Sequence, residues 1–208
     1  MRDYYRLDGC VVVVDAEYGE ENLDEYPVAA EQVALADLIL LNKMDLVDPS
    51  RVDRLQRRLQ RMNPVAQIIR TEYCATDLHG LLNVRLFESV PAAAKMRETD
   101  PDQDGRETVD RIRSVVLTER RPLDKDRVNL WIKDLFMTRG YKILRGKGFL
   151  NFSGSEYRYV FQSVRRTFHS QADRLWQPDE PRESVIVLIG EGLEDQTVLQ
   201  QSFSACVA

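Results

Sequence analysis

The first half of the chain alternates short apolar runs with segments of helical periodicity. "CVVVVDA" (Cys10–Ala16) is a continuous β-branched run, which is typical of a parallel strand covered on both faces. Further strands are predicted at Leu38–Leu41 and Ala66–Arg70, and helices around Val28–Leu35 and over Pro49–Met62. This alternation of strand and helix predicts an α/β fold with a mostly parallel sheet.

The helix predicted over Pro49–Met62 is amphipathic. Its apolar face carries Val52, Leu55, Leu59 and Met62. Ser50, followed three residues later by Asp53, predicts a capping box at its start. A further helix is predicted over "DLHGLLNVRLFES" (Asp77–Ser89), after the third strand.

Beyond that helix the composition changes. Residues 93–107 lack apolar periodicity and concentrate Pro, Gly, Asp and Glu, which is typical of a linker. We therefore predict two domains, residues 1–92 and residues 108–208.

The second domain has an α+β pattern. "RIRSVVLTER" (Arg111–Arg120) predicts a strand, and "DKDRVNLWIKDLFMTRG" predicts a helix that Gly140 caps. "YKILRGKGFLNF" and "EYRYVFQSVRR" predict a hairpin that turns at Ser153-Gly154, and "SVIVLIG" predicts a last strand. A closing helix should point Leu199, Phe203 and Cys206 inward. The order βαβββα predicts a small sheet with two helices on one face.

Composition describes an ordinary globular protein. Of the 208 residues, 43% are hydrophobic and 30% are charged, and the net charge of −5 argues against non-specific binding to nucleic acid or to a membrane surface. The chain has no run of ~18 apolar residues and its first twenty residues lack a signal-peptide pattern. Its three cysteines are far apart, so we expect no disulfide framework and a reducing, cytoplasmic setting.

The second strand ends in a polar cluster, Asn42, Lys43 and Asp45, in the pattern N-K-x-D. Ligands of open α/β sheets bind beyond the carboxyl ends of the strands. There a carboxylate can accept parallel hydrogen bonds from N1 and N2 of guanine, an edge that adenine lacks. Asn42 would reach the N7/O6 side, and the stem of Lys43 would lie against the base. A base without those donors leaves a desolvated carboxylate unpaired, which predicts guanine selectivity. The alternative is a polar loop that caps the next helix.

Several segments, in order, resemble the CobW-type (CobW/HypB/UreG) metallochaperone GTPases, which are relatives of the nickel-insertion GTPases of urease and hydrogenase. They are "YYRLDGCVVVVDAEYG", "EQVALADLILLNKMDLV", "MNPVAQIIRTEY", "ILRGKGFL", the isolated Trp176 and "ESVIVLIGEGL". The resemblance implies part of a P-loop GTPase sheet followed by a ferredoxin-like CobW C-terminal domain. It also implies GTP hydrolysis with Mg²⁺, coupled to delivery of a metal to a client enzyme that docks on the C-terminal domain. "LTERRPLDKDRVNLWIKDLF" and "FSACV" resemble the zinc-chaperone branch, so zinc is the expected cargo, with cobalt as the alternative.

The chain departs from this family in its phosphate site. It contains no G-x-x-x-x-G-K-[ST] segment, and its "GKG" (Gly146–Gly148) lies in a predicted hairpin strand. The C-x-C-C metal motif and the switch segments of the family are also absent. We expect these elements to precede Met1, so that the chain is a truncated member. Without a phosphate site it should bind GTP weakly or undetectably and should not hydrolyse it. No catalytic residue is assigned.

Cysteine and histidine residues elsewhere in the chain are candidate metal ligands. Cys74 and His79 have an i, i+5 spacing that does not suit structural zinc, so no metal site is predicted. His169 lacks a nearby cysteine, and Arg165 stands where the family often has histidine.

Two charged features keep two interpretations each, and a third keeps one. Asp15 either orients the pocket or a switch element, or serves as a cap or loop residue. Arg145 and Lys147 either meet an acidic partner or, as we expect, form a solvated strand face. The basic helix face of Arg54–Met62 is too short to predict nucleic-acid binding. A non-catalytic module that docks a client is the alternative function, and homo-oligomerisation stays possible.

Overall fold

The computed structural model describes residues 9–77, 111–137 and 142–208. The chain divides into two compact units, Met1–Leu86 and Phe87–Ala208. Within the described residues, every helix is too short or too polar to cross a membrane. The predicted helix at Asp77–Ser89 lies beyond the described residues except for Asp77, and the predicted linker at 93–107 and the cap at Gly140 lie wholly outside them.

The first unit contains a three-stranded parallel sheet of order β1-β2-β3. Its elements are β1 (Val11–Asp15), α1 (Gly19–Glu25), α2 (Pro27–Leu35), β2 (Leu38–Asn42), one 3₁₀ turn (Met44–Leu46), α3 (Pro49–Met62) and β3 (Gln67–Arg70). The three predicted strands and the helices predicted around Val28–Leu35 and over Pro49–Met62 are confirmed. The prediction that β1 is covered on both faces is wrong, since Val11 and Val13 are 45% and 56% exposed. β2 is the middle strand and is buried along its whole length, as expected for a parallel strand between neighbours.

One face of this sheet packs against α3. Ile39 and Leu41 of β2 share a buried cluster with the apolar face predicted for the helix: Val52, Leu55, Leu59 and Met62. Their exposed fractions do not exceed 3%. The 3.6-residue spacing of these side chains therefore correctly predicted which face of α3 is buried.

The predicted capping box of α3 is wrong. The helix begins at Pro49, its N-cap is Asp48, and Oδ1 of Asp48 accepts a hydrogen bond from the backbone N–H of Ser50 at 2.8 Å. Proline suits the first helical position because its missing N–H would be unpaired there, which moves the cap one residue upstream. Asp53 instead binds Arg70, with 2.6 Å between Oδ1 and Nη2.

Helix α1 was not predicted, because its sequence "GEENLDE" has one large apolar residue, Leu23. Acidic groups of α1 pair with the basic face of α3: Arg54 binds Glu20 at 2.8 Å and Arg58 binds Asp24 at 2.6 Å. The basic face of α3 is thus used within the unit. Gly19 permits the close approach, since a Cβ there would lie 2.7 Å from Cδ2 of Leu55.

The second unit is a five-stranded antiparallel sheet of order β4-β8-β5-β6-β7 with two helices. Its elements are β4 (Arg113–Glu119), α4 (Lys125–Met137), β5 (Lys142–Asn151), β6 (Tyr157–Val164), β7 (Thr167–Leu175), β8 (Ser184–Glu191) and α5 (Gln196–Ser204). The predicted strands, hairpin and helices are confirmed. With the parallel sheet of the first unit, this confirms the predicted fold class.

Both helices pack on one face of the antiparallel sheet. Trp131 of α4 and Phe203 of α5 have ring centroids 5.2 Å apart, and they share a core with Leu117 and Leu188 of the sheet. Leu199 and Cys206 are buried as predicted. The sheet has one strand more than predicted, β7, whose "TFHSQADRL" lacks apolar alternation and is largely exposed. His169 lies in β7, opposite Gln162.

The prediction that Arg145 and Lys147 form a solvated face is wrong. They are 6% and 2% exposed on β5, the central strand of the sheet, where they lie opposite the buried residues Ile189 and Val187 of β8. The "GKG" segment is part of β5, and a Cβ on Gly148 would collide with the backbone oxygen of Val185. This glycine serves the close approach of β5 to β8.

Candidate guanine site

Asn42 is the last residue of β2, and its side-chain amide is oriented by the segment that follows β3. Its Oδ1 accepts hydrogen bonds from the backbone N–H of Cys74 at 2.8 Å and from Oγ1 of Thr71 at 3.2 Å. Asn42 is 9% exposed. Its Nδ2 donates no hydrogen bond to any of the residues that the structure describes. The amide is therefore held by its oxygen while its donor stays available.

The segment after β3 has an unusual backbone. Tyr73 and Cys74 have φ angles of 53° and 55°, in the left-handed region that L residues seldom adopt. Two bonds hold the segment against β2: Thr71 donates its N–H to the oxygen of Leu41 at 2.8 Å, and Cys74 donates to Asn42. Such strain persists where surrounding contacts determine it, and here those contacts shape the end of β2.

Lys43 also has a left-handed backbone, with φ 63° and ψ 36°. Its Nζ lies 2.7 Å from Oδ2 of Asp15, the residue at the end of β1. The hydrogen bond that Lys43 donates to Asp15 and the negative charge of Asp15 raise the pKa of Lys43. Burial acts to raise the pKa of Asp15, but the bonds from Lys43 and from the backbone N–H groups of Glu17 and Tyr18 outweigh it, so that this pKa is lowered.

Asp45 lies in the 3₁₀ turn and is exposed. Its carboxylate forms no hydrogen bond or ion pair with residues in the described ranges. The cap of α3 is Asp48, so neither Asn42 nor Asp45 caps that helix. The site thus presents an oriented amide, a paired ammonium and a carboxylate without a protein partner, all within four residues of one strand end.

Sequence reasoning left the role of Asp15 open and missed Thr71 and the backbone of Cys74. Asp15 stabilises the loop after β1, since its Oδ1 accepts a hydrogen bond from the backbone N–H of Glu17 at 2.8 Å. Its Oδ2 also accepts a hydrogen bond from Lys43. A sequence signal did exist: Asp15, Asn42 and Thr71 each lie at or just beyond the end of a strand, and parallel strands bring such ends to one edge of the sheet.

Metal ligands do not gather in the described part of the chain. Across residues 9–77, 111–137 and 142–208, no group of three or more His, Cys, Asp or Glu side chains has an arrangement that would hold a metal ion. The Cys74 side chain is exposed, and His79 lies outside the described residues. His169 contacts Oε1 of Gln171 through Nε2 at 3.2 Å.

Comparison with known families adds to this geometry. Residues 1–70 match the family model "CobW/HypB/UreG, nucleotide-binding domain", and residues 112–207 match "Cobalamin synthesis protein cobW C-terminal domain". The chain belongs to the CobW/HypB/UreG family. The order of the two matches agrees with the resemblance found in the sequence, which is thereby confirmed.

Individual relatives of this CobW-family chain are zinc proteins by name. It is 30% identical to zinc chaperone YjiA of Escherichia coli (strain K12), over 93% of the chain and 59% of the relative. It is 25% identical to zinc-regulated GTPase metalloprotein activator 1 of Saccharomyces cerevisiae, over 92% of the chain and 53% of the relative. The chain thus spans between half and three fifths of the length of these relatives.

Among solved structures, the chain is similar to the Zn(II)-bound YjiA GTPase from E. coli. The two agree with a TM-score of 0.80 and 29% sequence identity, over 100% of this chain and 63% of that chain. The similarity of the CobW-family chain to this solved GTPase therefore extends over the residues of both units.

Proposed function

We propose that this chain carries the guanine-recognition site and the C-terminal domain of a GTPase that delivers zinc to a client protein. One observation carries the proposal: Nδ2 of Asn42 and the carboxylate of Asp45 have no partner among the described residues, although both lie at the carboxyl end of β2. In an open α/β sheet, that end is where ligands bind.

The chemistry of these groups fits the edge of guanine. Nδ2 of Asn42 donates to N7 or O6, and the carboxylate of Asp45 accepts from N1 and N2. The stem of Lys43 lies along the ring. Adenine has no donor at the positions that face Asp45, so binding it would desolvate a carboxylate without compensation.

The sequence contains no comparable set of groups for binding the phosphates of a nucleotide. No G-x-x-x-x-G-K-[ST] segment occurs in the 208 residues. Each hydrogen bond to the base contributes about 0.5–1.5 kcal/mol net, or up to about 3 kcal/mol when it involves a charged group. We therefore expect an affinity weaker than micromolar and no hydrolysis by this chain alone.

The donor set at this strand end suits a purine and not a magnesium ion. Mg²⁺ needs near-octahedral oxygen ligands, whereas Asn42, Lys43 and Asp45 supply one amide, one ammonium and one carboxylate. When bound with GTP, Mg²⁺ neutralises phosphate charge. We assign it no residue in this chain.

Zinc enters the proposal as cargo. Relatives are named zinc chaperones and zinc-regulated GTPase activators, and one solved structure of YjiA contains Zn(II). We assign docking of the client to the second unit, which has a hydrophobic core of its own within the described residues. A client that binds equally well with and without guanine nucleotide would favour the non-catalytic docking module instead.

An exchange of base specificity tests the guanine site. Asp45→Asn should weaken GDP binding and strengthen binding of xanthosine diphosphate, because an amide donates to the O2 of xanthine while accepting from its N1–H. Amide chemical shifts of residues 42–45 measure both affinities in the full 208-residue chain. Asp48→Asn removes a nearby carboxylate that caps α3 and should leave the preference for GDP unchanged.

Two results would contradict the proposal. The guanine assignment fails if Asp45→Asn leaves the ratio of GDP to xanthosine diphosphate affinity unaltered. The expected weakness is wrong if isothermal titration of the unaltered chain with GTP or GDP gives a micromolar dissociation constant.

A further inference from the structure

The ammonium of Lys43 is linked to a residue of another strand. Its Nζ donates to Oδ2 of Asp15 at 2.7 Å, across the parallel pair in which Asp15 lies opposite Asn42. The side chain of Asp15 is 25% exposed and that of Lys43 is 48% exposed. An ion pair with this exposure adds little to stability, so its main effect is geometric.

The same carboxylate also organises the turn that leads from β1 to α1. Oδ1 of Asp15 accepts from the N–H of Glu17 at 2.8 Å and of Tyr18 at 3.4 Å, while Oδ2 is left for Lys43. Because the turn holds one oxygen, the other oxygen has a fixed position. Asp15 can therefore act as a rigid anchor for a long and otherwise mobile lysine.

A second link joins the two strand ends. The backbone N–H of Ala16 donates to the oxygen of Asn42 at 2.8 Å, directly before Lys43 adopts its left-handed backbone. The backbone therefore determines where the Lys43 stem starts, and Asp15 determines where it ends. Four methylene groups lie between these two points.

We infer that Asp15 is a positioning residue of the guanine site, which holds the Lys43 stem as the wall against which the purine packs. The inference rests on the proposed function, because it assumes that a guanine occupies the space beside Asn42 and Asp45. It adds a residue from outside N-K-x-D to that site. It also makes the turn after β1 part of the base-binding structure.

Asp15→Asn is the informative variant, since its oxygen still accepts from Glu17 N–H while the negative charge toward Lys43 is lost. The Cε resonance of Lys43, assigned with Lys43→Arg, reports the titration of the ammonium. In Asp15→Asn the pKa of Lys43 should fall toward its ordinary value. Asp48→Asn, which loses an equal charge at a residue that does not contact Lys43, should leave that pKa unchanged.

The effect on the base is measured with GMP, and AMP serves as the control ligand. Asp15→Asn should weaken GMP binding about two- to fivefold, the range expected for an exposed ion pair. In a Lys43→Met background, which keeps an apolar stem without the charge, Asp15→Asn should have no further effect. If Asp15 acted instead by repelling the phosphate of GMP, Asp15→Asn would strengthen GMP binding. The gain would then be the same in the unaltered chain and in the Lys43→Met background.

The outcomes separate the inference from the function on which it rests. If the unaltered chain does not prefer GMP to AMP, the guanine site itself is refuted, and the inference with it. If the preference exists but Asp15→Asn leaves the Lys43 titration unmoved, or changes GMP binding equally with Lys43 and with Met at this position, the positioning role alone is refuted.

Discussion

The backbone N–H of Cys74 lies 2.8 Å from Oδ1 of Asn42, although 32 positions separate the two residues in the sequence. This bond joins the end of β2 to the left-handed segment after β3. It decides which end of the Asn42 amide faces outward. The donor that the proposed guanine site requires is thus oriented by a residue outside the N-K-x-D pattern.

Asn42→Ala should release the segment after β3. The N–H of Cys74 and the hydroxyl of Thr71 would lose their acceptor, at a cost of about 1–3 kcal/mol in the free energy of unfolding of the first unit. Amide hydrogen exchange resolved by residue measures this. Both tryptophans, Trp131 and Trp176, belong to the second unit, so their fluorescence would not report it.

Faster exchange should centre on residues 71–75. Asn22→Ala is a suitable control, because Asn22 lies in α1 and its side chain forms no hydrogen bond with the described residues. Unchanged exchange at Cys74 in Asn42→Ala would show that the bond does not hold the segment.

Asn63→Ala should destabilise the first unit more strongly, by at least about 2 kcal/mol. Asn63 is fully buried, its Nδ2 donates to the oxygens of Val33 at 2.7 Å and Ala36 at 2.9 Å, and its Oδ1 accepts from the N–H of Ala66 at 3.1 Å. Alanine leaves these buried groups unpaired. Urea dependence of amide exchange in α2 and α3 provides the measurement.

The matched variant at this position is Asn63→Asp. It keeps the oxygen for Ala66 but turns a second oxygen toward the carbonyl groups, so it should be no more stable than Asn63→Ala at neutral pH. A stability equal to that of the unaltered chain for either variant would contradict this structural role.

Arg58→Met should destabilise the first unit more than Arg54→Met. The Arg58 side chain is 7% exposed and bonds both the carboxylate of Asp24 and the backbone oxygen of Glu20, whereas Arg54 is 46% exposed in its pair with Glu20. An exposed pair contributes about 0.2–1 kcal/mol, so the Arg54 effect should stay within that range. Urea midpoints from exchange of α1 amides test the order, and the reverse order would contradict it.

The stability of the second unit should depend on pH through Glu119. Hydrogen bonds from Arg121 lower its pKa from 4.5 to about 2 in the folded chain. Because the folded pKa lies below the unfolded one, the stabilisation is fully present above about pH 4.5 and is lost as the pH falls toward 2. Urea unfolding followed by tryptophan fluorescence from pH 6 to pH 2.5 should show this loss.

Glu119→Gln isolates the contribution of this carboxylate. Its stability should be lower than that of the unaltered chain at pH 6, and the difference should shrink as the pH falls toward 2. A difference that stays constant over this range would show that the charge of Glu119 is not the cause.

Much of the fold followed from local pattern. The apolar run before Asn42 correctly predicted a parallel strand covered on both faces. The β-branched run before Asp15 correctly predicted a parallel strand but not its burial, because Val11 and Val13 are exposed. The spacing of Val52, Leu55 and Leu59 correctly predicted the buried face of α3. These are properties that a segment carries by itself.

Elements whose stability comes from partners were missed. Helix α1 has almost no apolar face, and ion pairs with Arg54 and Arg58 on α3 hold it. Strand β7 is largely exposed, and its backbone bonds to β6 define it. The burial of Lys147 also escaped prediction, because the alternation along β5 does not reveal which of its residues tertiary packing covers.

At the candidate site, the sequence alone determined which chemical groups are present: N-K-x-D after an apolar strand supplies an amide, an ammonium and a carboxylate. Tertiary structure decided how they are used. It placed Cys74 against Asn42 and Asp15 against Lys43, and it left Asp45 without a partner among the described residues. The physical reason is that hydrogen bonds between strand ends depend on register and on left-handed backbone segments, and both arise only when distant parts of the chain pack together.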